Sequence, residues 1–372
     1  MRLIGLGLTL ALTACQSAAP LAQVPVSLPS AGPGKPLPAN DQVISSILVA
    51  SCLDEERPEP AQVLRSIARE SANLLLMMGD NVYGDYDQNR KVRPDQTLTE
   101  LRESFAQLAS RADFQTVRKT HPVMVAWDDH DYGKNDGGSE FKFKEQAERI
   151  HERFWGLDKS GLAAWPGTYY AKTFGPPGKR VQVLMLDTRF FRSPLTRTDQ
   201  RNAKGKERYI PSQAIDQQML GEAQWKWLAM QLGQPAEVRI IGSSIQVLPT
   251  DGHGFESWSR LPDEQRRLLS LLKTTEATGV VLVSGDRHRA FMYRRQMSET
   301  ANVIELTASS INRAFRPRTP ERDSAQIGEA YAGENYGEVA INWVTSMLTL
   351  RIKNAAGETV RQVSEPFSTG RQ

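Results

Sequence analysis

Excess charge of either sign is missing from this 372-residue chain, in which 46 Lys and Arg stand against 43 Asp and Glu for a formal net charge of +3. That balance excludes a global field for gathering nucleic acid or an anionic membrane, so partners must be recognised by local chemistry. No specific nucleic acid and no obligate protein partner is inferred. Cysteine is nearly absent, with Cys15 and Cys52 alone. If Cys15 is consumed in processing, no intramolecular disulfide can form, and Cys52 is either a small buried core residue or a metal ligand. Internal repeats and a second linker are lacking beyond Val43, which points to one catalytic-size domain. What the chain does have is 40% apolar residues, enough for a sizeable core.

The segment from Met1 to Ala14 carries one positive charge, a short apolar run and small residues before Cys15. This is the plan of a secretory signal peptide, too short to span a bilayer as a mature helix. Leu12-Thr13-Ala14-Cys15 resembles a bacterial lipobox, which implies cleavage before Cys15 and lipidation of its thiol. An ordinary signal peptide cut nearby is the alternative. The expected organisation is a lipoprotein signal over 1–15, a Pro/Ala-rich flexible tether over 16–42 and a catalytic domain over 43–372. The expected location is the bacterial cell envelope, lipid-anchored on the periplasmic side. Gln16 after the cysteine leans towards the outer membrane.

Short apolar runs alternate with amphipathic segments, the pattern of an α/β fold with strands buried on both faces. The runs are Ile47 to Ala50, Leu74 to Met78, Val123 to Trp127, Val181 to Leu186, Val238 to Ile241 and Val280 to Val283. Helices are expected at Ala61 to Ala68, Leu98 to Val117, Glu222 to Leu232 and Glu264 to Lys273. Val339 to Trp343 and Leu348 to Ile352 alternate and end at the turn Asn354-Ala355-Ala356-Gly357, which predicts an antiparallel pair.

The residues following the buried runs carry the chemistry. They read Ser51-Cys52, Gly79-Asp80-Asn81, Asp128-Asp129-His130-Asp131, Asp187-Thr188-Arg189, Ser243-Ser244 and Gly285-Asp286-Arg287-His288. In an open α/β sheet, ligands bind outside the carboxyl ends of the strands, so a mostly parallel sheet gathers these groups on one edge. Two like charges about 4 Å apart cost roughly 4 kcal/mol at an effective dielectric near 20. Converging Asp80, Asp129 and Asp286 therefore call for bound cations. Singly, a strand-end Asp is more often a cap or a turn residue. Asp80 and Tyr83 lie three apart, so one turn can aim carboxylate and phenol together, and a phenol is a good ligand chiefly for Fe(III). An extended run into Ala290 to Tyr293 would put Asp286 and His288 on one face, and Cys52 would add a soft thiolate. Such a pair of metals suits in-line hydrolysis of a phosphoester, with His130, oriented by Asp131, as the proton donor.

Ala50-Ser51-Cys52, Gly79-Asp80-Asn81-Val82-Tyr83, Trp127-Asp128-Asp129-His130-Asp131, Leu186-Asp187-Thr188-Arg189 and Ser284-Gly285-Asp286-Arg287-His288 together resemble the ordered signature of the PhoD-type alkaline phosphatase/phosphodiesterase family, a branch of the calcineurin-like metallophosphatases. The resemblance implies a four-layer αββα sandwich, two mixed sheets flanked by helices, with an iron and calcium centre at the strand ends. By position, Cys52, Tyr83 and His288 would hold Fe(III), with Asp80 bridging to a second site. Asp129 stands where the superfamily's GNHE motif has its Asn, and Asp286 where GHxH has its first His. The second site is then all oxygen, suiting calcium better than zinc, although Zn, Mn or Mg could also serve. Gly242-Ser243-Ser244 departs from the pattern, where many metallophosphatases place a further histidine. Arg189 is either a phosphate contact or, within Asp187-Thr188-Arg189, half of a structural ion pair. The basic insertion between Arg192 and Ser212 is either a substrate collar or a solvated loop.

The expected function is a metal-dependent phosphomonoesterase or phosphodiesterase acting on a small-molecule or lipid phosphoester, by direct attack of metal-bound hydroxide at a dinuclear or trinuclear Fe/Ca centre. Competing readings are a phospholipase- or teichoic-acid-directed phosphodiesterase on the same centre, and a non-catalytic envelope lipoprotein. A serine-nucleophile phosphatase lacks its motif here.

Overall fold

The computed structural model describes residues 28–86, 97–161, 166–250, 252–299, 301–316 and 321–368. The expected signal segment and Cys15 lie outside these described residues. Numbered along the chain, six strands form one sheet: β1 (Ser46–Ala50), β2 (Leu74–Met78), β3 (Val123–Ala126), β10 (Asn335–Asn342), β11 (Met347–Asn354) and β12 (Thr359–Pro366). Its order is β12-β11-β10-β1-β2-β3, parallel from β1 to β3 and antiparallel from β12 to β1. The second sheet contains β4 (Tyr170–Phe174), β5 (Val181–Met185), β6 (Val238–Gly242), β7 (Val280–Ser284), β8 (Phe291–Gln296) and β9 (Asn302–Thr307). Its order is β4-β5-β6-β7-β9-β8, with β5, β6, β7 and β9 parallel and the edge strands reversed.

The period of two along the second sheet sorts its side chains between two cores. Val181, Val183 and Met185 of β5, with Val281 and Val283 of β7, join the apolar cluster that includes the first sheet. Leu184 and Leu282 point the other way, into a cluster with Trp225 and Leu228 of α6 (Gly221–Leu232) and Leu268 and Leu272 of α7 (Pro262–Thr274). Outside the first sheet lie α1 (Gln62–Arg69), α2 (Thr99–Ser110), α3 (Ala112–Thr120) and α5 (Lys144–Trp155), whose Val63, Phe105, Val117 and Phe154 join the first cluster. The result is the four-layer sandwich that the family resemblance implies, with the buried parallel strands that the sequence pattern predicts. Each fully buried aliphatic side chain contributes roughly 1.5–3 kcal/mol.

The expected helix from Leu98 to Val117 is two, broken at Arg111. Its guanidinium is tied to the Asp113 carboxylate at 2.7 Å and to the carbonyls of Glu55 and Arg57 at 3.1 and 2.6 Å. These bonds hold Arg111 extended, with φ −68° and ψ 124°, between the helices. The expected tether is also corrected from Leu28 onward. Ala31 is buried and its N–H donates to Phe154 O at 2.9 Å, Lys35 N donates to Arg118 O at 2.8 Å, and Gly175 N donates to Asn40 O at 2.8 Å. This strap lies on the domain.

Candidate metal centre

The carboxyl ends of the parallel strands in both sheets meet at one edge. After β1, Cys52 N donates to Gly79 O at 3.2 Å and Leu53 N to Asp80 O at 2.8 Å, so the loops after β1 and β2 remain paired beyond the strands. Two glycines permit the close approach. A Cβ on Gly79, at φ +89°, would lie 2.4 Å from Cβ of Asp128, and one on Gly285 would lie 2.6 Å from Ser51 Oγ, where the two sheets touch.

Cys52, Tyr83 and His288 converge on one oxygen. Asp80 Oδ2 lies 3.5 Å from Cys52 Sγ, 3.4 Å from the Tyr83 hydroxyl and 3.9 Å from His288 Nε2, and the phenol and imidazole are 3.0 Å apart. Beside this mixed set lies an all-carboxylate one, with oxygens of Asp128, Asp129 and Asp286 within 4.8 Å of one another. A ring nitrogen of His130 is equally close to carboxylate oxygens of Asp80 and Asp129. Thiol, phenol, imidazole and carboxylates gathered in one place fit transition-metal and hard-cation ligation. Asp80 Oδ1 and Asp129 Oδ1 are buried without a hydrogen-bond partner, as carboxylate oxygens awaiting a cation would be. Cys52, Asp80, Asp286 and His288 all have left-handed φ, 58°, 48°, 65° and 53°. Such strain costs about 1–3 kcal/mol per residue and clusters at functional sites. It also corrects one expectation: Asp286 and His288 meet the site from a tight turn before β8, not from an extended run.

His130 stands on α4 (Asp129–Tyr132), a single turn with an Asp128/Asp131 capping box and Gly133 at its end. Its partner is Asp85, whose Oδ1 makes a very short contact with His130 Nδ1. Asp131, expected to orient the histidine, instead accepts from Asn81 N at 3.0 Å and Asp128 N at 2.9 Å, locking the loops after β2 and β3 together. Arg189 is corrected as well. Its guanidinium is fully buried, donating from Nε to Asp128 Oδ1 at 2.6 Å and lying 2.7 Å from Glu256 Oε2. Arg189 does not line the pocket, and its ion pairs are with Asp128 and Glu256 rather than with Asp187, whose Oδ1 accepts from the Arg189 backbone N–H at 2.8 Å. Ser244 donates to the same Asp128 oxygen at 2.6 Å, while Ser243 accepts from Trp258 Nε1 at 2.9 Å.

A pocket of about 250 Å³ opens over the centre, reached by Asp80, Asp129, His130, Asp286, His288 and Arg313. Sequence reasoning missed Arg313, which stacks 3.9 Å over the Tyr83 ring and pairs with Asp54 at 2.8 Å. It also missed Asp85, Asp136 and Glu256. Asp85 alone carried a signal, a carboxylate two residues past the Gly79-to-Tyr83 motif.

Burial pushes the Cys52 thiol up to about 11. Burial, then the charges of Cys52 and Asp129, pushes Asp80 well above the usual carboxylate range, and burial with Asp128 and Glu256 does the same to Asp286. Burial also opposes ionisation of Asp129, yet the positive charges of His130 and Arg189 hold it below the usual range. His130 is desolvated too, but Asp129 and Asp85 outweigh that and raise it to about 9. Without cations the centre suppresses ionisation of Cys52, Asp80 and Asp286, and bound metal would reverse that.

The model for the PhoD-like phosphatase family matches residues 47–342, the span that contains every one of these groups. The chain belongs to the PhoD-like phosphatase family. Alkaline phosphatase D of Bacillus subtilis (strain 168) is 23% identical over 297 residues, covering 71% of this chain and 50% of the relative. This PhoD-like chain thus spans about half the length of that curated protein. A solved structure of PhoD superposes with a TM-score of 0.64 at 18% identity, covering 91% of this chain and 70% of the other. Purple acid phosphatase PPD1 from yellow lupin seeds follows at 0.57 and 10% identity, covering 89% of this chain and 54% of that one. Both share the fold of this PhoD-like protein, two mixed sheets flanked by helices.

Proposed function

We propose that this protein is a metal-dependent phosphoester hydrolase with Fe(III) held by Cys52, Tyr83, His288 and Asp80, and calcium held by Asp80, Asp129 and Asp286. The observation that carries this reading is Asp80, whose Oδ2 faces the thiol, phenol and imidazole while its Oδ1 is buried and unpartnered. Such ions lower the pKa of water and offset the negative charge that builds on a phosphoryl group in flight. The chain's own groups supply the rest. Asp85 fixes His130 at Nδ1, leaving Nε2 to give its proton to the departing ester oxygen. Arg313, on the pocket wall, supplies the cation for the phosphoryl oxygens that buried Arg189 cannot. Charge and aromatic stacking hold that guanidinium in place. We place the protein in the bacterial envelope, anchored through lipidated Cys15, because Leu12-Thr13-Ala14-Cys15 has the lipobox form.

The test is hydrolysis of p-nitrophenyl phosphate and bis(p-nitrophenyl) phosphate by the purified full chain. Chelation should abolish turnover and metal return restore it, and His130→Ala should lower kcat by about 10²–10⁴-fold. Full turnover after the metals are removed would overturn the reading.

A further inference from the structure

The basic insertion is an ordered hairpin at the mouth of the pocket. Thr198 N donates to Arg208 O, Asn202 N to Glu207 O and Ile210 N to Thr196 O, each at 3.0 Å, and Arg197 lies opposite Tyr209. Its return strand is tied to the centre through Asp136. That carboxylate accepts from the Tyr209 hydroxyl at 2.7 Å and from Arg208 Nη1 at 3.1 Å, while Asp136 N donates to Asp129 Oδ2 at 2.7 Å. Between hairpin and centre lies a second cavity of about 320 Å³, bounded by Arg197, Arg201 and Arg208. Asn135, Asp136 and Arg208 line both this cavity and the pocket over the metal ligands, so the two spaces adjoin.

The charge of this second cavity is one-sided. Its one carboxylate, Asp136, is already engaged by Arg208 and Tyr209. Arg197 and Arg201 are exposed and form an ion pair with no carboxylate among the described residues. Thr198 adds a hydroxyl, and Asn135, whose amide oxygen accepts from Tyr86 at 3.2 Å, lines the same space with its amide nitrogen free of that bond. Paired guanidinium forks with neutral donors beside them suit a phosphate, whose oxygens take two parallel N–H bonds from each arginine.

We propose that this cavity binds a second phosphate carried by the leaving group, so that the preferred substrates are esters with two phosphates joined by a short linker. The proposal rests on the hydrolase reading. In the reaction, a water oxygen forms the new bond to phosphorus, one of its protons passing to solvent that later reprotonates His130, and the ester P–O bond breaks. The leaving oxygen takes a proton from His130, and the phosphorylated alcohol departs across the arginines.

The metal-loaded full chain is assayed for phosphate release from propane-1,3-diol bisphosphate and propane-1,3-diol monophosphate, as wild type and as Arg197→Ser/Arg201→Ser. Wild type should favour the bisphosphate by about tenfold or more in kcat/KM, the scale of a lost charge-assisted contact. The double variant should lose that advantage while its monophosphate kcat/KM stays within about twofold. Equal rates on the two esters in wild type, or equal losses on both in the variant, would overturn the proposal. Titration with the non-hydrolysable propane-1,3-bisphosphonate decides it without turnover. About tenfold weaker binding by the variant supports the subsite, and unchanged binding sinks it. If wild type hydrolyses neither ester, the hydrolase reading fails and the titration still settles the cavity.

Discussion

Asp80 stands between two unlike halves of the centre. One gathers a thiol, a phenol and an imidazole, the other carboxylates alone. Each half draws on both sheets: Cys52 and Tyr83 meet His288, and Asp128 and Asp129 meet Asp286. Neither half exists until the sheets pack. They differ in how charge is compensated. The carboxylate half rests on buried Arg189, itself held by Glu256, which Arg192 also contacts at 2.9 Å. The mixed half has Arg313 over its phenol at the pocket wall. Donor softness and internal counter-charge therefore separate the halves, and each can be perturbed on its own.

The largest effect should follow Asp80→Asn, which removes the carboxylate the halves share. Activity on a chromogenic phosphoester should fall by about a thousandfold or more, and elemental analysis should show both metals depleted. Arg189→Met, which strips the buried cation from the carboxylate half, should cost about 3–5 kcal/mol of stability in urea unfolding. Loss of activity with unchanged stability would instead return Arg189 to the role of ligand contact. Cys52→Ser and Asp286→Asn should give opposite metal signatures, iron falling about tenfold or more with the first and calcium with the second. Equal depletion of both metals in both variants would collapse the two halves into one.

The smallest effect lies outside the centre. His151 on α5 is buried, neither ring nitrogen has a hydrogen-bond partner, and burial depresses it to about 3. Its folded value lies below the unfolded one near 6.5. The unfolded chain therefore takes up the proton first, and stability present above pH 6.5 is lost as pH falls, at about 1.4 kcal/mol per unit. His151→Leu should flatten the urea midpoint between about pH 6 and 4 relative to wild type, leaving metal content unchanged.

Much of this was legible in the sequence because buried parallel strands advertise themselves. All six apolar runs became strands, and the acids after them converged. Two of the strands that escaped notice are marked by no period. β12 reads Thr-Val-Arg-Gln-Val-Ser-Glu-Pro and is mostly exposed, and β4 has only its end residues buried. The partner of His130 was misread for a geometric reason. Asp131 is adjacent in sequence, yet a one-turn helix aims it at backbone N–H groups, while Asp85 arrives from 45 residues away. Arg189 shows the same limit, since the tripeptide Asp187-Thr188-Arg189 cannot say whether a guanidinium faces solvent or a buried acid.

The strap from Leu28 to Asn40 bears on where this domain can be cut. It fastens α5 and α3, which cover the first sheet, to the β4–β5 turn of the second. A protein trimmed to begin at Val43, where composition alone would place the border, would lose the clasp that joins the outer helices of one sheet to the hairpin of the other. The working unit starts earlier, at the strap that Ala31 anchors to α5.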